Sequence, residues 1–137
     1  LPQAVFAGFQ GGADLGRAVA SMDLLFNPSV TETFGNVTLE AMACGLPVVA
    51  AIATGSESLV EDGVTGRLVR PGAVAAFADA LQGYATDAAA RAAAGQAGLA
   101  RAELYGWDQV NQALVDTYLR VLRQRAAGVR PGKSPVP

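Results

Sequence analysis

The 137 residues carry ten basic and twelve acidic side chains, a net charge of −2, one cysteine and no histidine. Within this chain these counts exclude an internal disulfide, a Ser–His or Cys–His nucleophile pair and any His-ligated metal. With no basic run, no signal peptide and no apolar stretch of membrane length, they also argue against a nucleic-acid partner and a membrane-spanning segment.

In chain order, Val5-Phe6-Ala7-Gly8-Phe9 reads as a first strand, and Gly8-Phe9-Gln10-Gly11-Gly12 stands between it and a helix. That glycine run does not fit Gly-x-Gly-x-x-Gly, and no acidic residue ends a following strand, so a dinucleotide-binding enzyme is a poor match. Asp23 to Pro28 is a short apolar run closed by proline, a buried strand. Asn36 to Cys44 has neither glycine nor proline and reads as a helix, stopped by Gly45 and Pro47. Val48 to Ala53 is a second β-branched strand. Strand, helix and strand in so short a stretch form a βαβ unit, which calls for a parallel sheet with a right-handed crossover.

Ligands of such units collect at the carboxyl ends of the strands, where helix N-termini point. The segment from Ser29 to Asn36 occupies that position. Its open helix end offers amides to a phosphate, and Gly35 permits close backbone approach. Glu32, just before the helix, and Glu40, about one turn into it, can both line the crevice. Carboxylates accept hydrogen bonds only, which suits the hydroxyls of a sugar or ribose without a metal.

Further along, Asp62-Gly63 predicts a turn, Gly66 opens a strand from about Arg67 to Val69, and Pro71-Gly72 closes it. Ala73 to Tyr84 carries Val74, Phe77, Leu81 and Tyr84 on one stripe, a helix packed on the sheet. Thr86 is placed to cap an Ala-rich helix from about Asp87 to Leu104, with interruptions expected at Gly95 and Gly98. Trp107 anchors a last helix ending near Arg125, with Val110, Leu114, Tyr118, Val121 and Leu122 at packing spacing. Cys44 fills a small-residue slot at a helix end, in keeping with a packing role. Residues 128–137 have the composition of a disordered tail. No internal repeat is present.

The string Glu32-x7-Glu40 with Phe34-Gly35 between, followed by Glu-Ala-Met-Ala-x-Gly-x-Pro-Val-Val-Ala, resembles the donor-site signature of the retaining GT-B glycosyltransferases of family 4 (glycosyl transferases group 1). Glu61 to Gly72 is similar to a further segment of that family, Trp107 and its helix to the terminal one, and Val5 to Phe9 to a strand whose end lies near the nucleobase. The resemblance implies a Rossmann-like parallel sheet with flanking helices, the later part of a GT-B C-terminal, donor-binding domain spanning residues 1–127. It implies transfer of a sugar from a nucleoside-diphosphate sugar, with retention and with neither metal nor other cofactor. Glu32 would be the catalytic residue beside the transferred sugar, and Glu40 would take the ribose hydroxyls. The amides of Phe34, Gly35, Asn36 and Val37 would face the diphosphate or sugar. One departure stands out. The family's Gly-Gly-x-x-Glu loop reads Ala53-Thr54-Gly55-Ser56-Glu57-Ser58 here, with Thr54 in place of a glycine and Glu57 one residue early.

Against the family pattern, the chain is expected to be a fragment lacking the N-terminal acceptor domain and the basic residues that meet the donor diphosphate. It is therefore expected to be inactive alone. A non-catalytic nucleotide-sugar-binding or interaction module is the alternative. The strand ending at Pro28 would present an unpaired apolar edge, so self-association as a dimer is expected. The resemblance places the full enzyme in the cytoplasm, with peripheral association at the inner face of the membrane a further expectation. Arg120, Arg123 and Arg125 fit a solvated helix face better than a membrane-attracted one.

Overall fold

The computed structural model describes residues 2–127, so the tail expected over 128–137 lies outside the described residues. Two compact units divide at Glu103 and Leu104. The first holds helix α1 (Gly12–Ala20), strand β1 (Leu25–Asn27), α2 (Asn36–Ala43), β2 (Val48–Ala51), α3 (Thr54–Leu59), β3 (Gly66–Val69), α4 (Val74–Thr86) and α5 (Ala88–Ala102). The second contains α6 (Trp107–Ala126).

The three strands form a parallel sheet in the order β1-β2-β3. Phe26 lies opposite Val49, and Val49 opposite Arg67. The central strand β2 is buried at all four residues, as its unbroken Val-Val-Ala-Ala run requires of a parallel strand covered on both faces. The pleat turns Val49 and Ala51 to one face, where they meet Val69, Phe77, Tyr84 and Ala94. Phe26 joins this layer by an edge-to-face contact with Phe77, ring centroids 5.5 Å apart. The fold is thus a Rossmann-like α/β arrangement, as the βαβ pattern predicts.

Helix α2 ends where Gly45 and Pro47 say it should. The Gly45 amide donates to the Met42 carbonyl at 2.9 Å and the Leu46 amide to that of Ala41 at 3.0 Å, the paired bonds of a Schellman cap. The turn before β3 is tied by Asp62, whose Oδ1 accepts from the Leu68 amide at 2.9 Å and from Arg67 Nε at 3.1 Å.

Several expectations change, among them the buried strand expected before Pro28, since β1 is half-buried to exposed. Residues 5–9 are not a strand: a parallel strand exists only through a neighbour's hydrogen bonds, and none pairs with them among the described residues. Asp87, not Thr86, caps α5, its carboxylate accepting from the Ala90 amide at 2.9 Å, while the Thr86 hydroxyl donates back to the Gln82 carbonyl. Helix α5 runs unbroken through Gly95 and Gly98. Gly95 serves packing, since a Cβ there would lie 2.0 Å from the Gly45 carbonyl oxygen. Finally, the segment from Ala53 to Ser58, expected as a loop, lies mostly within the short helix Thr54–Leu59.

In the second unit, α6 places Asp108 in its first turn and Arg123 and Arg125 in its last, signs that suit the helix dipole. Among the described residues no helix is long and apolar enough to cross a membrane.

Candidate donor site

The site is built at the carboxyl ends of β1 and β2. Beyond β1, Asn27 Oδ1 accepts from the Ser29 amide at 3.2 Å, an Asx turn that sets the direction of the loop leaving Pro28. The loop then reaches Glu32, half-buried, whose Oε1 accepts from the Gly35 amide at 3.1 Å. One oxygen of the carboxylate therefore faces the start of α2.

Gly35 is the N-cap of α2, with φ 97° and ψ 44°. That left-handed conformation is cheap only for glycine. A Cβ there would also stand 2.9 Å from Leu59 Cδ1. The helix start has no side-chain cap, and Asn36 and Val37 are exposed in its first turn. Amides so placed have no helical acceptor and carry the positive end of the helix dipole. Glu40 is exposed one turn on, over Asn36 on the same helical face, while Thr38, Ala41 and Met42 form the buried face.

The second wall comes from α3. The Gly55 amide donates to the main-chain oxygen of Glu32 at 3.0 Å. A Cβ at Gly55 would meet Glu32 Cγ at 2.7 Å and the Phe34 carbonyl carbon at 2.8 Å. The altered glycine loop thus keeps the glycine that touches the candidate carboxylate. Thr54 takes the other position with its residue exposed, so a side chain is accommodated there. Glu57 and Ser58 lie on the exposed side of α3.

The structure therefore gathers Glu32, Phe34 and Gly35 into one loop and sets Asn36, Val37 and Glu40 on the helix that the loop opens. One adjustment concerns Gly35, whose amide is already engaged by Glu32, while those of Asn36 and Val37 have no acceptor within the helix. Residues 5–9, matched in sequence to a strand near the nucleobase, are exposed coil ahead of α1. Gly55, Leu59 and, behind them, Arg101 were not among the sequence candidates; the signal for Gly55 was the glycine retained in an otherwise altered motif. A separate hollow of about 770 Å³ lies at the amino end of β3, between the turn at Gly63 and helices α4 and α5. Five alanines share its lining with Arg67, Asp79, Tyr84, Thr86 and Asp87, and its Arg67 is paired with Asp62.

The strand ends thus carry a carboxylate beside a helix start without a side-chain cap. Residues 1–87 match the family model for glycosyl transferases group 1, and the chain belongs to that family. It is 45% identical over 100 residues to a D-inositol 3-phosphate glycosyltransferase of Kribbella flavida, covering 73% of this chain and 24% of that one. The corresponding figures for the D-inositol 3-phosphate glycosyltransferase of Mycobacterium avium are 41% over 116 residues, 84% and 27%. Among solved structures, HepE of Anabaena in complex with UDP and glucose superposes with a TM-score of 0.77 at 35% identity, over 85% of this chain and 32% of that one. The C-terminal domain of a group 1 glycosyl transferase from Francisella tularensis gives 0.63 at 29% identity, over 70% and 50%. The chain spans about a quarter of the length of the curated relatives it matches.

Proposed function

We propose that this chain is the later part of the donor-binding domain of a retaining hexosyltransferase that uses a nucleoside-diphosphate sugar. The observation that carries the proposal is the carboxylate of Glu32 held against the N-cap of α2, with Glu40 one turn further on. The neighbours solved with UDP or UDP-glucose support a uridine nucleotide as donor.

In this reading Glu32 accepts hydrogen bonds from hydroxyls of the transferred sugar. Glu40 accepts from the ribose hydroxyls. The amides of Asn36 and Val37, with Phe34 and Gly35 shaping the approach, face the diphosphate. During transfer the anomeric carbon–oxygen bond to the diphosphate breaks and a bond to the acceptor oxygen forms on the same face. The acceptor's hydroxyl proton passes to the departing phosphate oxygen. Negative charge grows on the diphosphate as this happens, and preorganised amides at a helix end stabilise that charge more than the ground state. No second carboxylate acts as nucleophile.

The acceptor contacts and the basic partners of the diphosphate belong to the N-terminal domain and to earlier strands of the relatives' pattern. The chain by itself is then a nucleotide-sugar-binding module without turnover. A calorimetric titration with UDP-glucose and a GDP-sugar tests the reading: binding that disappears in Glu40→Ala supports it, and binding of NAD in place of either would sink it.

A further inference from the structure

Arg101 lies on α5, outside the loop that carries Glu32. Its guanidinium donates through Nε to the Leu59 carbonyl and through Nη2 to the Ser58 carbonyl at 3.1 Å, and Nη1 stands 3.8 Å from Glu61 Oε2. It thus occupies the last carbonyls of α3, which the helix itself leaves without amide partners. A planar fork with several fixed donors suits two neighbouring carbonyls in a way an ammonium does not.

Helix α3 in turn supports the donor loop at two points. Leu59, whose carbonyl Arg101 holds, is fully buried, and its Cδ1 packs where a Cβ on Gly35 would come within 2.9 Å of it. Gly55, one turn earlier, bonds the Glu32 carbonyl and packs on Glu32 Cγ. A six-residue helix has little stability of its own and keeps its place only through such tertiary contacts.

Resting on the donor-site reading above, we infer that Arg101 is a positioning residue for the donor sugar: it fixes α3, and α3 sets the orientation of Glu32. The effect falls on the sugar side of the site, because both supports end on Glu32 and Gly35. The exposed face of α2 that carries Glu40 has its own anchorage through Met42 and the Schellman cap.

The test uses this chain unaltered and as Arg101→Gln and Arg101→Lys, with UDP and UDP-glucose as probes and amide exchange as a ligand-free readout. In Arg101→Gln the Gly35 and Gly55 amides exchange about tenfold faster, while Val49 and Ala51 in β2 keep their protection. UDP-glucose binds about tenfold more weakly and UDP less than about threefold, within the range by which residues that touch no ligand modulate binding. Arg101→Lys recovers part of both effects, and it supplies the same readouts if Arg101→Gln does not fold. Unchanged exchange at Gly35 and Gly55, or an equal loss for UDP and UDP-glucose, overturns the inference. If the unaltered chain binds neither probe, the donor-site reading fails on its own, and the exchange result alone decides whether Arg101 orders the loop.

Discussion

The Gly55 amide donates to the main-chain oxygen of Glu32 at 3.0 Å, joining the first turn of α3 to the loop after β1. Two segments that follow neighbouring parallel strands thereby become one hydrogen-bonded wall. The bond also explains why a glycine stands at that position: the Cα sits where any Cβ would strike Glu32 and the backbone of Phe34.

Gly55→Ala therefore sets two effects against each other. Alanine favours a helix by about 1 kcal/mol over glycine, but overpacking against fixed backbone costs about 1–3 kcal/mol. The backbone of Phe34 cannot swing aside as a side-chain tip would, so the clash wins. Thermal unfolding should show a loss of stability, and the titration with UDP-glucose should weaken with it.

The same contrast separates two glycines inside helices. A Cβ at Gly95 meets the carbonyl of Gly45, whereas one at Gly83 in α4 meets nothing within 4 Å. Gly95→Ala is expected to destabilise by about 1–3 kcal/mol. Gly83→Ala is expected to stabilise by about 1 kcal/mol, because only the backbone entropy term remains. Denaturant midpoints measured side by side check both signs.

Tyr84 supplies a pH dependence. Burial pushes its hydroxyl above the ordinary 10.0, with Arg67 opposing and Asp62 adding to the rise. The folded state thus holds the phenolic proton more tightly than the unfolded chain. Its stabilising contribution is complete below pH 10 and is lost as pH rises through the folded value. Urea unfolding across this alkaline range should show a steeper loss for the unaltered chain than for Tyr84→Phe.

How much of this was legible in the sequence follows from the range of each interaction. The end of α2 was readable because Gly45 and Pro47 act within one turn. The Glu32 to Glu40 segment was readable because its parts are contiguous in the chain. Residues 5–9 misled for the opposite reason: their composition suits a strand, yet a strand is made by its neighbour. Gly95 and Gly98 read as breakers because nothing local announces that α2 approaches them. The α3 wall depends on contacts from Arg101 to Leu59 and from Gly55 to Glu32, joining segments that only the folded sheet brings together.

The open side of β1 bears on assembly. Among the described residues β1 pairs with β2 alone, and Phe26 on it is 46% exposed. An uncovered edge of this kind is a template for another chain. Sedimentation at high micromolar concentration is expected to give the mass of a dimer, and a monomeric mass would count against it.

The central claim is that one carboxylate reads the sugar and the other the ribose, on either side of the α2 N-terminus. Calorimetric titration of UDP and UDP-glucose into the unaltered chain, Glu32→Gln and Glu40→Ala tests it most directly. Glu40→Ala is expected to abolish binding of both ligands, and Glu32→Gln to remove the preference for UDP-glucose over UDP while leaving UDP bound. Equal binding of both ligands by all three proteins would contradict it.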